Sequence, residues 1–241
     1  MDITLYQQDI LWGDPDGNRR RAEAAMEGCH ADIFVVPETF TTGFGDHMTS
    51  LAEPPDGPTL RWAQSMAARH RLLFVGTWIV CDGDRCYNRL HWVYPDGTFG
   101  HYDKAHTFRP SGEHGQIARG TERTVFEYKG WHIKPAVCYD LRFPKWLRND
   151  GMQYDLLLVC ANWPASRAEA WSTLLRARAI ENLCYVAGCN RTGIDGNDGL
   201  YSGDSAIIDY KGLPLDSLTA TLSLPRLQAF RQKWPLYLDF D

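Results

Sequence analysis

Cys138 ends an apolar run, Ile133 to Val137, and is followed at once by Tyr139, Asp140 and Arg142, with Pro144 suited to the first turn of a helix. This pattern predicts a strand-to-helix turn that exposes the thiol at the carboxyl edge of a sheet. A helix N-terminus there favours negative charge, so a thiolate and a tetrahedral oxyanion would both gain. A structural core cysteine fits the same run, since free Cys is among the most buried residue types. Glu38 closes V-V-P-E-T-F, directly after the apolar stretch Ile33 to Val36. A carboxylate at the mouth of a buried strand needs a partner; it is either a capping or ion-paired Glu, or a general base. Lys104 lies in H-Y-D-K-A-H-T-F, just past a strand. A solvated charge is the commoner fate of a lysine, but the neighbours His106, Phe108 and Arg109 argue against a purely solvated loop.

These stretches belong to a longer series in fixed order: P-E-T-F-T-T-G-F from Pro37, Y-D-K-A-H-T-F from Tyr102, V-C-Y-D-L-R-F-P from Val137, A-N-W-P from Ala161, R-A-R-A-I-E-N from Arg176 and Y-S-G-D-S from Tyr201. Each is weak alone; together, over about Leu5 to Leu224, they resemble the nitrilase superfamily of carbon–nitrogen hydrolases, and within it the bacterial omega-amidases, or 2-oxoglutaramate amidases. The resemblance implies a four-layer alpha-beta-beta-alpha sandwich with mixed sheets, a Glu38, Lys104, Cys138 set, and a second carboxylate, Glu113, that holds the lysine and the base in position. The pattern of elements by itself says only α/β.

A thiol of pKa about 8.5 is mostly protonated at neutral pH and needs a base in hydrogen-bond reach. Glu38 is read as that base, later protonating departing ammonia and activating water. Lys104 and the backbone N–H of Tyr139 are read as donors to the oxyanion. The expected reaction is thiol attack on the terminal amide of a short 2-oxo-dicarboxylic acid monoamide such as 2-oxoglutaramate or 2-oxosuccinamate, loss of ammonia, and hydrolysis of a Cys138 thioester, with no metal or organic cofactor. Tyr139, Arg142, Trp163 and Phe44 are the candidate substrate-binding residues. Arg142 presents a planar fork for a carboxylate, or else pairs with Asp140 in a structural ion pair. A Cys–His hydrolase using His106 or His114, a carbamoylase, aliphatic amidase or nitrilase with the same three residues, and a non-catalytic binding relative are the competing readings.

The elements that must position these groups are legible from periodicity. Strands are expected over Ile3 to Gln8, Ile33 to Val36, Leu72 to Val80, Asn88 to Tyr94, Phe99 to Tyr102, Thr124 to Tyr128, Trp131 to Cys138, Leu156 to Cys160, Tyr185 to Cys189, Ser205 to Asp209 and Thr219 to Leu224. Helices are expected from Asn18 (as N-cap) to Gly28, over Thr59 to His70 with Leu60, Ala63, Met66 and Ala67 on one face, over Ala165 to Leu183, and over Pro225 to Lys233. Ile194 to Gly203 is a mobile-loop candidate for the pocket wall.

The chain of 241 residues, taken as one domain over 1–241, can bury a large core. A net charge of −5 without a basic stripe argues against nucleic acid. The most apolar run, Leu72 to Cys81, is too short for a membrane span, and the start shows no secretory signal. Seven cysteines, an odd number, then favour reduced thiols in the cytoplasm. Relatives commonly dimerise, and Trp234 and Tyr237 could contribute to a homodimer.

Overall fold

Pairing of strands, not helix packing, sets the frame of the computed structural model, which describes residues 1–239. In chain order the strands are β1 Asp2–Leu5, β2 Ile33–Val35, β3 Leu73–Asp82, β4 Arg85–Val93, β5 Phe99–Asp103, β6 Phe126–Tyr128, β7 Trp131–Val137, β8 Leu156–Ala161, β9 Tyr185–Asn190, β10 Thr192–Ile194, β11 Leu200–Ser202, β12 Ala206–Ile208 and β13 Thr219–Thr221. The helices are α1 Pro15–Met26, α2 Pro58–His70, α3 Pro144–Leu147, α4 Ala168–Asn182 and α5 Leu224–Lys233. One sheet has the order β13-β1-β2-β3-β4-β5, the other β12-β9-β8-β7-β6, and β10 with β11 forms a separate hairpin. In each large sheet three central strands are parallel (β1, β2, β3; β7, β8, β9) and the flanking strands are antiparallel. Both sheets are therefore mixed.

The period-two alternation of strands splits each apolar run between two cores. Ile33 and Val35 of β2 meet Ile133, Val137 and Leu158 of the other sheet between the sheets. Phe34 points the other way, onto Met26 of α1 and Leu60, Ala63 and Met66 of α2. On the far side Ala136, Leu157 and Val159 pack on Trp171, Leu175 and Ala179 of α4. Helix, sheet, sheet and helix thus stack in four layers.

Several boundaries differ from expectation for physical reasons. Asn18 does not cap α1; Asp14 does, accepting from Gly17 N at 2.9 Å. Asn18 is instead buried and ties Gln8, Leu11 and Thr41 together. The expected long helix from Ala165 begins as a 3-10 turn, Ala165–Arg167, and α4 ends where Leu183 turns left-handed at φ 48°. Ile194 to Gly203 is not a loop throughout, because β10 and β11 pair across it. Nor are all seven cysteines reduced. The β3–β4 hairpin turns at Gly83 and Asp84, and this places Cys81 directly opposite Cys86, where they form a disulfide. Among the described residues no helix is long and apolar enough to cross a membrane.

Candidate active site

The two sets of parallel strands bring their carboxyl ends to one place, where ligands collect in open α/β sheets. Glu38 leaves β2 through Pro37, and its N–H bonds Ala161 O at the end of β8 at 3.3 Å, so the loop joins the two sheets. Asn162, next after β8, closes the joint. Its N–H donates to Glu38 Oε2 at 2.9 Å, and its amide donates to Glu38 O and to Thr39 Oγ1 at 3.0 Å. Lys104 follows β5, its N–H on Asn88 O of β4 at 3.0 Å. Glu113 stands in a short 3-10 turn and accepts from Phe108 N.

Glu38, Lys104 and Glu113 are each at most 1% exposed. Lys104 Nζ lies 2.8 Å from Glu38 Oε1 and 3.0 and 2.9 Å from the two Glu113 oxygens. Asn88 Nδ2 donates to the same two carboxylates, at 2.8 Å to Glu38 and 3.3 Å to Glu113. Burial would lower the ammonium's pKa, but Glu113 and Glu38 together raise it above the ordinary lysine value, so Lys104 is charged. Burial, with Glu38 alongside, raises the Glu113 carboxyl above its usual range despite the pull of Lys104.

Cys138 has φ 43°, in the left-handed region, and opens a 3-10 turn, Cys138–Arg142. A non-Gly residue held there marks a position that its surroundings over-determine. Asp140 supplies the hold: its buried carboxylate accepts from Val137 N at 3.0 Å, Tyr102 Oη at 2.8 Å, His106 N at 2.9 Å and His106 Nδ1 at 2.8 Å. The thiol points to Asn162 O at 3.7 Å. Its pKa is raised well above the ordinary cysteine value, by burial first and then by Glu38, with Lys104 opposing. The expected acidifying helix N-terminus is overruled: α3, four residues long, starts only at Pro144, and burial beside a carboxylate outweighs it. The resting group is a thiol, and attack needs a base.

A cavity of about 320 Å³ opens above this cluster. Glu38, Lys104 and Cys138 line it, with Asn162. The expected substrate-binding residues Tyr139, Arg142, Trp163 and Phe44 all border it. The Phe44 ring lies 5.1 Å from Lys104 Nζ, and Tyr139 packs edge-on against Phe108 and Phe143. Arg142 does not pair with Asp140, whose oxygens are already engaged; its guanidinium lies over the Trp163 ring at 4.9 Å. His106 and His114 border a different groove, which Cys138 does not line, and the His106 ring is held by Asp140. Nothing in the sequence signals Asn88 or Arg167, which support and line the cavity; the segment Ile194 to Gly203, expected at the pocket wall, does line it, through Asp195, Asn197 and Tyr201. Asn162 stood inside a quoted motif without a role.

Residues 2–231 match the family model described as carbon-nitrogen hydrolase. The chain is 44% identical over 250 residues to an omega-amidase, YafV, of Yersinia enterocolitica, covering 100% of this chain and 97% of that one. It is 36% identical to a 2-oxoglutaramate amidase of Bacillus subtilis, covering 98% and 96%. Among solved structures, XC1258 from Xanthomonas campestris, a CN-hydrolase superfamily protein with an arsenic adduct in its active site, superposes with a TM-score of 0.97 at 45% identity over 100% of this chain and 97% of that one. A Glu–Lys–Glu cluster beside a strained cysteine, in a four-layer frame with these likenesses along its whole length, leads to one conclusion: the chain belongs to the carbon–nitrogen hydrolase family, the nitrilase superfamily.

Proposed function

We propose that the protein is an omega-amidase, hydrolysing the terminal amide of short 2-oxo-dicarboxylic acid monoamides such as 2-oxoglutaramate to the dicarboxylate and ammonia. The observation that carries this reading is a cavity with Glu38, Lys104 and Cys138 as its floor, Glu113 buried behind Lys104, and an exposed guanidinium, Arg142, laid on Trp163 at its wall. Glu38 takes the thiol proton as Cys138 Sγ attacks the amide carbon. An ammonium has three N–H donors, and in the resting site Lys104 directs them at three carboxylate oxygens, one of Glu38 and two of Glu113; it serves the oxyanion through its fixed positive charge and by giving up one of its two bonds to Glu113. The N–H of Tyr139, in the first turn of the 3-10 segment, has no partner within that turn and is the second donor. One such donor contributes about 3 kcal/mol to transition-state stabilisation. Collapse expels ammonia with the proton that Glu38 holds, leaving a thioester, and Glu38 then activates water to release the acid and the thiol.

Glu113 positions Lys104, and Phe44 covers it. Arg142 holds the carboxylate at the far end of the substrate, between the Trp163 and Tyr139 walls. The whole chain, 1–241, acts as one hydrolase domain, as a homodimer for which exposed Trp234, Leu236 and Leu238 offer apolar surface. The test is a panel of amides assayed for ammonia and carbon dioxide, in the native protein and in Arg142→Lys. The native enzyme should release ammonia alone and prefer a carboxylate-bearing amide. Arg142→Lys should raise KM for 2-oxoglutaramate and leave a neutral short amide nearly unchanged. Carbon dioxide from a carbamoyl substrate with no turnover of 2-oxoglutaramate would overturn the assignment.

A further inference from the structure

The cavity wall holds a second exposed guanidinium, Arg167, in the 3-10 turn ahead of α4. Resting on the omega-amidase reading above, we propose that Arg167 is a specificity-determining residue that acts with Arg142 as a two-guanidinium clamp for the substrate's carboxylate.

Three features carry this. First, each guanidinium is laid on an aromatic wall of the same cavity: Arg142 on Trp163 at 4.9 Å, Arg167 on Phe108 at 5.2 Å. Stacking of this kind pre-orients the planar fork before an anion arrives. Second, Trp163 ties the pair together, since its ring carries Arg142 while its Nε1 donates to Arg167 O at 2.8 Å. Third, among the described residues neither arginine has an ion-pair partner, so both forks are open to a ligand anion. Of the acids on the same cavity, Asp195 is turned to its own hairpin, accepting from Asn197 N and Gly199 N at 2.8 Å and from Tyr201 Oη at 3.0 Å. Asp46 lies exposed at the lip.

The floor carries the opposite bias, since the ammonium of Lys104 is outnumbered by Glu38 beside it in the cavity and Glu113 buried behind it. A substrate with a carboxylate at one end and a neutral amide at the other is therefore oriented amide-down. Hydrolysis then creates a carboxylate beside Glu38, which repels it.

The experiment compares kcat/KM for 2-oxoglutaramate and for butyramide, a neutral amide, in the native enzyme, Arg167→Gln, Arg167→Lys and Arg142→Lys. Arg167→Gln should lose about tenfold on 2-oxoglutaramate, through KM, as expected for one charge-assisted contact at an exposed site. Butyramide turnover should stay within about twofold, which also reports an intact fold. Arg167→Lys should recover part of the loss. Equal losses on both substrates would assign Arg167 a structural role and overturn the clamp. So would native values on both. If the native enzyme itself shows no preference for the charged amide, the omega-amidase reading fails and the clamp falls with it; if only the Arg142 variant loses that preference, the reading stands and the role of Arg167 alone is refuted.

Discussion

Replacing Lys104 by Met removes the ammonium that Glu38 and Glu113 share and leaves two buried carboxylates in one compartment. Removing one partner of a buried ion pair typically costs about 3–5 kcal/mol. In a chain of this size, about 2–4 °C of Tm corresponds to each kcal/mol, so a fall of roughly 6–20 °C is expected. Asn88 still donates to both carboxylates, which keeps the loss towards the lower figure. The variant can also relieve the repulsion by taking up a proton. Glu113 is the group to do so, because burial and then Glu38 already hold its carboxyl above the usual range. A carboxyl with a raised folded-state pKa adds stability below its unfolded pKa and loses it as pH rises through the folded value. The Tm deficit should therefore shrink as pH falls from 8 towards about 5. Adding Glu113→Gln to Lys104→Met removes one of the two charges, so the double variant should melt above the single one. Circular-dichroism melts across pH, with ammonia release measured in parallel, read all of this. Turnover should stay near background in both variants, since an oxyanion donor is gone in each. A single variant that melts with the native protein, or a double variant that melts below it, would refute the shared-charge account.

Cys138→Ala should abolish ammonia release with an unchanged circular-dichroism spectrum, since Asp140 rather than the thiol holds the turn; substantial residual turnover would remove Cys138 as the nucleophile. Glu38→Gln is near-isosteric and should slow acylation by orders of magnitude, measured by mass spectrometry of the thioester; a normal acylation rate would show that another group takes the thiol proton. Lys134 is 3% exposed, and burial, with Arg123 nearby, lowers its pKa from 10.5 to about 8. A lysine with a depressed folded-state pKa withholds stability below that value and restores it above the unfolded one. Lys134→Met should thus stabilise the protein at pH 7 by at most about 3.5 kcal/mol, at about 1.4 kcal/mol per pH unit of displacement, and the gain should fade between pH 8 and 10.5. Equal melting of the two proteins at pH 7 would show that the buried ammonium is already compensated.

Strand ends were the readable part of the site, because a strand that stops abruptly announces where its next side chain must emerge. Glu38, Lys104 and Cys138 each follow a wholly or partly apolar run; Lys104 and Cys138 come directly after β5 and β7, and Glu38 three residues after the last of β2. The four-layer packing was readable for a related reason: runs such as Ile33 to Val36 have no polar face, so both of their faces must be covered. Asn88 was not readable. It lies inside β4, where alternation shows only that its side chain faces inward, and its partners are 50 and 25 residues away in sequence. Only the antiparallel register of β3, β4 and β5 carries it beneath Lys104. Arg167 was hidden differently, inside a stretch that reads as the start of a long helix, where an arginine is an unremarkable surface residue. The 3-10 turn ahead of α4 changes the direction in which that residue leaves the backbone and brings it to the cavity. The protonated thiol at Cys138 was readable, but how far its pKa is raised was not, for the same kind of reason. A helix start can be read from a proline, but the carboxylate that raises the thiol comes from the other sheet, across a joint that exists only once Glu38 N meets Ala161 O.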